Sequence, residues 1–205
     1  MKLFRGLVFG LSIVSMAFVG WVCCRINDFK ALVAYSSVAH MAIVICGLMT
    51  FTFLGYLGSY VIIIAHGLSS SGLFCIVNIY YERSLRRRFF FNKGIIMVFP
   101  LMTLFIFILC AANIAAPPTV NLLSEIVLII RMMKYDYFML ILFPVGSFLG
   151  AVFTLFIFSY SQHGKIYYFN LGLRFPSLRE YHLLNIHVIP LNYFVLNSDL
   201  FVDMW

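Results

Sequence analysis

Six stretches of this sequence are long enough and apolar enough to cross a lipid bilayer. They run over residues 6–24, 31–50, 58–80, 95–132, 137–160 and 181–197. A spanning helix needs about 20 mostly apolar residues, and a chain built from one such run after another has no water-soluble fold open to it. The rest of the composition agrees. Hydrophobic residues make up 63% of the chain and charged residues 10%, where a soluble domain carries roughly 25% charged residues. So few charges do not cover a water-facing surface. A soluble enzyme, a nucleic-acid-binding domain, a disordered tail and a secreted disulfide domain are all excluded. A membrane barrel would show strands of about ten residues with alternating polarity, whereas these runs are apolar all round. The expected fold class is therefore all-α: a polytopic membrane helix bundle with six transmembrane helices, forming one unit over residues 1–205.

The fourth run is too long for one straight span and carries Pro117–Pro118 inside it. Proline removes a backbone donor and clashes with the preceding turn, so a broken helix is expected there. The sixth run is the weakest, being interrupted by His182, Asn185, His187 and Pro190. Lys2 and Arg5 ahead of the first run look signal-like, but that run has spanning length and is read as a membrane helix. With six spans, loops 25–30, 81–94 and 161–180 share one side and hold ten basic residues. The other side holds four, with Asp199 and Asp203. Basic residues collect on the cytoplasmic side or its equivalent, which also accounts for the net charge of +7 without a nucleic-acid partner. The five cysteines lie in apolar runs with no C-x-x-C pair, and read as small buried residues. Gly146 and Gly150 at a four-residue spacing are a weak helix-packing signal.

Ionisable groups at bilayer depth are costly and mark function by default. Lys30 stands at the mouth of the second run. It reads either as a snorkelling lysine that positions the helix end or as a proton-path residue. His40 lies about 15 Å deeper along the same helix, with Ser36 and Ser37 one turn before it on its face. His66 in the third run has Ser69 and Ser70 one turn after it. Each helix thus carries a histidine with two hydroxyls. Such a stripe serves proton transfer or glues helices together; both readings stay open. Axial ligation of a haem by the two histidines has no second feature behind it. Glu125 is the sharpest signal, about two turns past Pro118. Broken helices with an acid close by are how carriers build midplane ion sites. The alternative is an acid paired with Arg131 or Lys134. No nucleotide-binding loop, flavin motif, metal cluster or catalytic triad appears, so the chain itself performs no redox chemistry.

Longer motifs point further. Asp28-Phe-Lys-Ala-Leu-Val-Ala-Tyr-Ser-Ser-Val-Ala-His-Met41, the run Ile64-Ala-His-Gly-Leu-Ser-Ser-Ser-Gly-Leu-Phe-Cys75, and Asn78 with Tyr81-Glu82-Arg83 are followed by Asn113, Ala116-Pro117-Pro118-Thr119, Asn121-Leu122 and Glu125. Together they resemble the antiporter-like, proton-pumping membrane subunits of mitochondrial respiratory complex I, from about residue 10 to 165 and more loosely to the end.

The resemblance implies the last six helices of a fourteen-helix fold. It places His40 and His66 on a central hydrophilic axis and makes Glu125 the titratable acid of a broken helix; Lys30 matches a family lysine. It implies a share in proton translocation by an NADH:ubiquinone reductase. No cofactor would be bound by this chain. NAD, FMN, iron–sulfur clusters and ubiquinone would belong to other subunits. The partners would be other membrane-arm subunits and membrane lipids, with no nucleic acid. The site would be the mitochondrial inner membrane, with the basic loops facing the matrix. Two departures stand out. The upstream half is missing, with the family's glutamate on the fifth helix and lysines on the seventh and eighth, so the chain reads as a fragment or short form. Ser124 stands where the family usually has glycine. A subunit of a multi-subunit cation/proton antiporter and a purely structural brace are the competing readings.

Overall fold

The computed structural model describes residues 2–137, 139–165 and 175–199; Arg174 and Asp203, counted above for orientation, lie outside them. Among the described residues there are seven α-helices and no strand: α1 Lys2–Cys23, α2 Phe29–Met49, α3 Phe53–Ser84, α4 Pro100–Asn113, α5 Val120–Tyr135, α6 Met139–Gln162 and α7 Leu178–Leu196. Two single-turn 3₁₀ segments, Phe89–Phe91 and Ile95–Met97, lead from α3 to α4.

The helices begin and end where the local chemistry asks. Thr50–Thr52 form the tight turn between α2 and α3, and the Thr52 hydroxyl accepts from the Gly55 amide at 3.3 Å to cap α3. The helices meet closely at this hairpin because Gly47 and Gly55 lack side chains. A Cβ on Gly55 would stand 2.7 Å from the Gly47 carbonyl oxygen. Leu85 in the left-handed region (φ 53°) ends α3. Pro100 opens α4, where its missing N–H is one the helix leaves unpaired anyway. Ser177 and Glu180 form a reciprocal capping box at the start of α7.

Four helices are long and apolar enough to span a bilayer: α1 from Phe4, α2, α3, and α6 from Ile141. A fifth span follows if the bent pair Phe89–Met97 and Pro100–Asn113, which meet at 115°, is counted as one. The count falls short of the six sequence stretches for physical reasons. The run 95–132 is divided into α4, of 14 residues, and α5, of 16, each shorter than the roughly 20 a crossing requires. The polar interruptions in α7 dilute its hydropathy. The protein is an integral, multi-pass membrane protein, all-helical and with four to five apolar spans among the described residues.

Packing centres on α3. One core gathers Phe29 and Leu32 of α2, Ile76 of α3, Met102 of α4, Phe153 of α6 and Leu184 of α7. A second joins Phe9 and Ile13 of α1, Ile43 of α2, Ile62 of α3 and Leu128 of α5. Lipid is as apolar as leucine, so this interdigitation and interhelical polar contacts, rather than exclusion of water, hold the helices together. The loop after α3 is tied to the α1–α2 connection: the Phe29 amide donates to the Arg87 carbonyl and the Phe89 amide to the Asn27 carbonyl, each at 3.1 Å.

Candidate functional site

The chain stops being helical between α4 and α5. Ala115 takes φ 60°. The Ala115 amide donates to the Ala112 carbonyl at 3.2 Å, and the Ala116 amide to the Ala111 carbonyl at 2.9 Å. This is the hydrogen-bond pair of a Schellman turn, a helix stop that usually has glycine at the left-handed position. Pro117 and Pro118 follow and prevent the helix from resuming. Beyond the break, the Asn121 side-chain amide donates back to the Ala112 carbonyl at 2.7 Å. One polar bond thus sews the first turn of α5 to the last turn of α4, and it orients Glu125 one turn further along.

Glu125 faces α2. Its Oε1 lies 3.8 Å from His40 Nδ1, with both side chains about nine-tenths buried. The His66 ring is next, its centroid 4.5 Å from that of His40 at an interplanar angle of 33°. Three residues far apart in sequence, on α2, α3 and α5, thus form one row. The titratable group that Glu125 meets is His40, not Arg131 or Lys134. At 3.8 Å the contact is too long for a direct hydrogen bond. A cavity of about 20 Å³ touches His40, Asn113, Glu125 and Ser147, and a water needs roughly 10–15 Å³ of such space and two to four polar partners. One bridging water fits both requirements.

Asn113, quoted above only as part of a motif, belongs to this row. It is 2% exposed, lies against both histidines, and its side-chain amide meets no partner in hydrogen-bond geometry. His40 Nδ1 and both ring nitrogens of His66 are likewise buried without a partner. Unsatisfied buried polar groups are costly, and here they cluster at one place. The signal available in the sequence was an amide at the end of an apolar run, immediately before the break.

The four serine hydroxyls donate within their own helices. Ser36 and Ser37 donate to the Val33 and Ala34 carbonyls, both at 2.6 Å. Ser69 and Ser70 donate to the His66 and Gly67 carbonyls, at 3.1 and 3.4 Å. Each hydroxyl is bonded to its own helix backbone and none to a histidine ring. Lys30 is not brought to the histidines either. It lines a separate cavity at the loop end of α2 and α3. Gly146 gives close packing to α1, since a Cβ there would stand 2.6 Å from Met16 Cε, while Gly150 faces no helix so closely.

Residues 3–154 match the family model described as NADH:quinone oxidoreductase/Mrp antiporter, transmembrane. A relative from Anopheles arabiensis named NADH-ubiquinone oxidoreductase chain 4 is 46% identical over 95% of this chain and 87% of its own length. Relatives of the same name from Aedes aegypti and Locusta migratoria are 45% and 44% identical, over 95% and 97% of this chain. The match spans less than half of those two, 43% and 45% of their length. Among solved structures, respiratory complex I from Thermus thermophilus has a chain with TM-score 0.84 at 23% identity, covering 91% of this chain and 39% of that one. A chain of an archaeal membrane-bound sulfane sulfur reductase reaches the same score at 16% identity. These two likenesses speak for the fold alone. The chain belongs to the NADH:quinone oxidoreductase/Mrp antiporter transmembrane family, among the relatives named NADH-ubiquinone oxidoreductase chain 4.

Proposed function

We propose that this chain contributes to proton translocation in the membrane arm of respiratory complex I, coupled to electron transfer from NADH to ubiquinone in other subunits. The observation that carries the reading is the buried row Glu125–His40–His66, set beside a broken helix with a water-sized cavity at its head. A carboxylate and two imidazoles in line are groups that take up and release protons, and hydrated breaks in membrane helices are where such sites are built. In this reading Glu125 exchanges a proton with His40 through one water, and His66 continues the path along α3. Lys30 serves the loop-side entrance. Coulomb coupling is strong in a low-dielectric interior, so the charge of one group sets that of the next.

The reading extends to the whole protein. The chain corresponds to the last six of fourteen helices, with α4 and α5 as the two halves of one broken crossing and α7 as the sixth. The protein acts as part of a translocase in the mitochondrial inner membrane, with loops 25–30, 81–94 and 161–180 toward the matrix. It binds no redox cofactor itself and partners other membrane-arm subunits. The chain 4 relatives favour this over a cation/proton antiporter subunit or a structural brace.

The test is Glu125→Gln in the complete complex, reconstituted into sealed vesicles. The expected result is a fall in protons moved per NADH oxidised, with the complex still assembled. An unchanged proton stoichiometry at unchanged turnover would remove Glu125 from the path.

A further inference from the structure

A cavity of about 530 Å³ opens at the loop end of α2 and α3, apart from the one at Glu125. Three cations line it: Lys30 from the first turn of α2, and Arg86 and Arg87 from the loop after α3. Two carboxylates line it as well, and both are engaged elsewhere. Glu180 accepts from the Arg83 guanidinium and from the Ser177 amide. Glu82 accepts from the Asn78 side-chain amide at 2.7 Å. Neither is in ion-pair contact with a lining cation. Arg86 and Arg87 lie over the rings of Phe91 and Tyr81, at 4.4 and 5.0 Å. A ring face positions a guanidinium but leaves its N–H donors unsatisfied. With the neutralised Arg83–Glu180 pair set aside, three cations stand against one carboxylate. Phe29, Phe74, Val77 and Leu183 make up much of the remaining wall.

Cations at the membrane face beside an apolar wall are complementary to an amphiphile with an anionic head. Guanidinium groups match phosphate geometry with two parallel N–H bonds, and basic pockets between membrane helices take phospholipid headgroups. We propose that this cavity binds the phosphodiester of an anionic phospholipid, held by Arg86, Arg87 and Lys30, with the adjoining hydrocarbon against Phe74 and Leu183. The proposal shares Lys30 with the proposed loop-side entrance, but it rests on Arg86 and Arg87 and not on Glu125, His40 or His66. It also distinguishes neighbours in the basic loop: Arg88 does not line the cavity.

The test uses the purified complete complex, stripped of loosely held lipid and exposed to micelles of phosphatidylcholine with an equal share of phosphatidylglycerol. Retained lipid is counted by mass spectrometry. Wild type and Arg88→Gln are expected to retain phosphatidylglycerol preferentially. Arg86→Gln/Arg87→Gln is expected to lose that preference by about ten-fold or more, the scale of charge-assisted contacts. Arg86→Lys/Arg87→Lys keeps the charge without the two parallel N–H bonds and is expected to keep a reduced preference, which separates lost charge from lost fold. Equal loss in Arg88→Gln means diffuse surface charge and overturns the proposal. So does the absence of any preference in wild type, displacement of the lipid by millimolar inorganic phosphate, or a polypeptide segment seated in the cavity of the complete complex.

Discussion

At the scale of single residues, the Glu125–His40 contact decides most. Two buried ionisable groups 3.8 Å apart cannot be altered one at a time without stranding the other. Residues acting as a unit give non-additive losses. Glu125→Gln and His40→Gln are each expected to lower proton movement, and the double variant is expected to be little worse than either, read as protons per NADH in sealed vesicles. Losses that multiply would mean two separate roles. Glu180, at the loop end of α7 and outside the apolar spans, provides a pH signature. Burial raises its carboxyl, but hydrogen bonds from Arg83 and the Ser177 amide outweigh this and hold it below its ordinary 4.5. A depressed folded value means stabilisation that is complete above the unfolded value and lost as pH falls through the folded one. The difference in melting temperature between wild type and Glu180→Gln is therefore expected to be constant near neutrality and to close below about pH 4.5. The sequence singled out His40, His66 and Glu125 separately, because charge inside an apolar run is visible without a fold. The resemblance set both histidines on one axis, but the contact of Glu125 with His40 was not visible. It depends on the Ala115 turn and on the Asn121 bond to Ala112, which bring α5 against α2 across 85 positions of chain. Where the serine hydroxyls donate was hidden for a related reason. Helical spacing shows which face a hydroxyl shares, not that its own backbone carbonyl competes for the proton.

At the scale of elements, the helix stops are the most exposed to test. Ala115 holds a left-handed φ of 60°, which costs an L-residue roughly 1–2 kcal/mol. Ala115→Gly is expected to stabilise the α4 stop by up to about 1 kcal/mol, after the greater freedom of glycine in the unfolded chain is subtracted. Thermal unfolding of the complex measures this. The α2–α3 hairpin predicts the opposite sign. Gly55→Ala sets a methyl 2.7 Å from the Gly47 carbonyl oxygen, and backbone does not yield as a flexible side chain does. A loss of about 1–3 kcal/mol is expected. Gly10→Ala on α1, with nothing within 4 Å of the new carbon, is the control and is expected to fall within about 1 kcal/mol of wild type. Prolines and apolar runs made the helices and the break readable. The division of the fourth stretch into two short helices was harder to bound, since the approach from α3 turns through two 3₁₀ segments that have no hydropathy signature.

For the whole molecule, α3 sets the dimensions. It runs 32 residues, Phe53–Ser84, or about 48 Å at helical rise, against a hydrocarbon layer of about 30 Å. The apolar part of that helix was evident from the sequence. Its extra turns at either end were not, because Tyr81, Glu82 and Arg83 read as loop until the helix is seen to continue through them. The Arg83–Glu180 pair fastens α7 to those turns. A rod longer than the slab it crosses must lean or protrude. Since α2, α5 and α7 all pack against it, the lean of α3 is shared by its neighbours. Bilayers that differ by a few ångströms then change which turns are wetted rather than whether the rod reaches across, and thickness tolerance becomes a property of one helix.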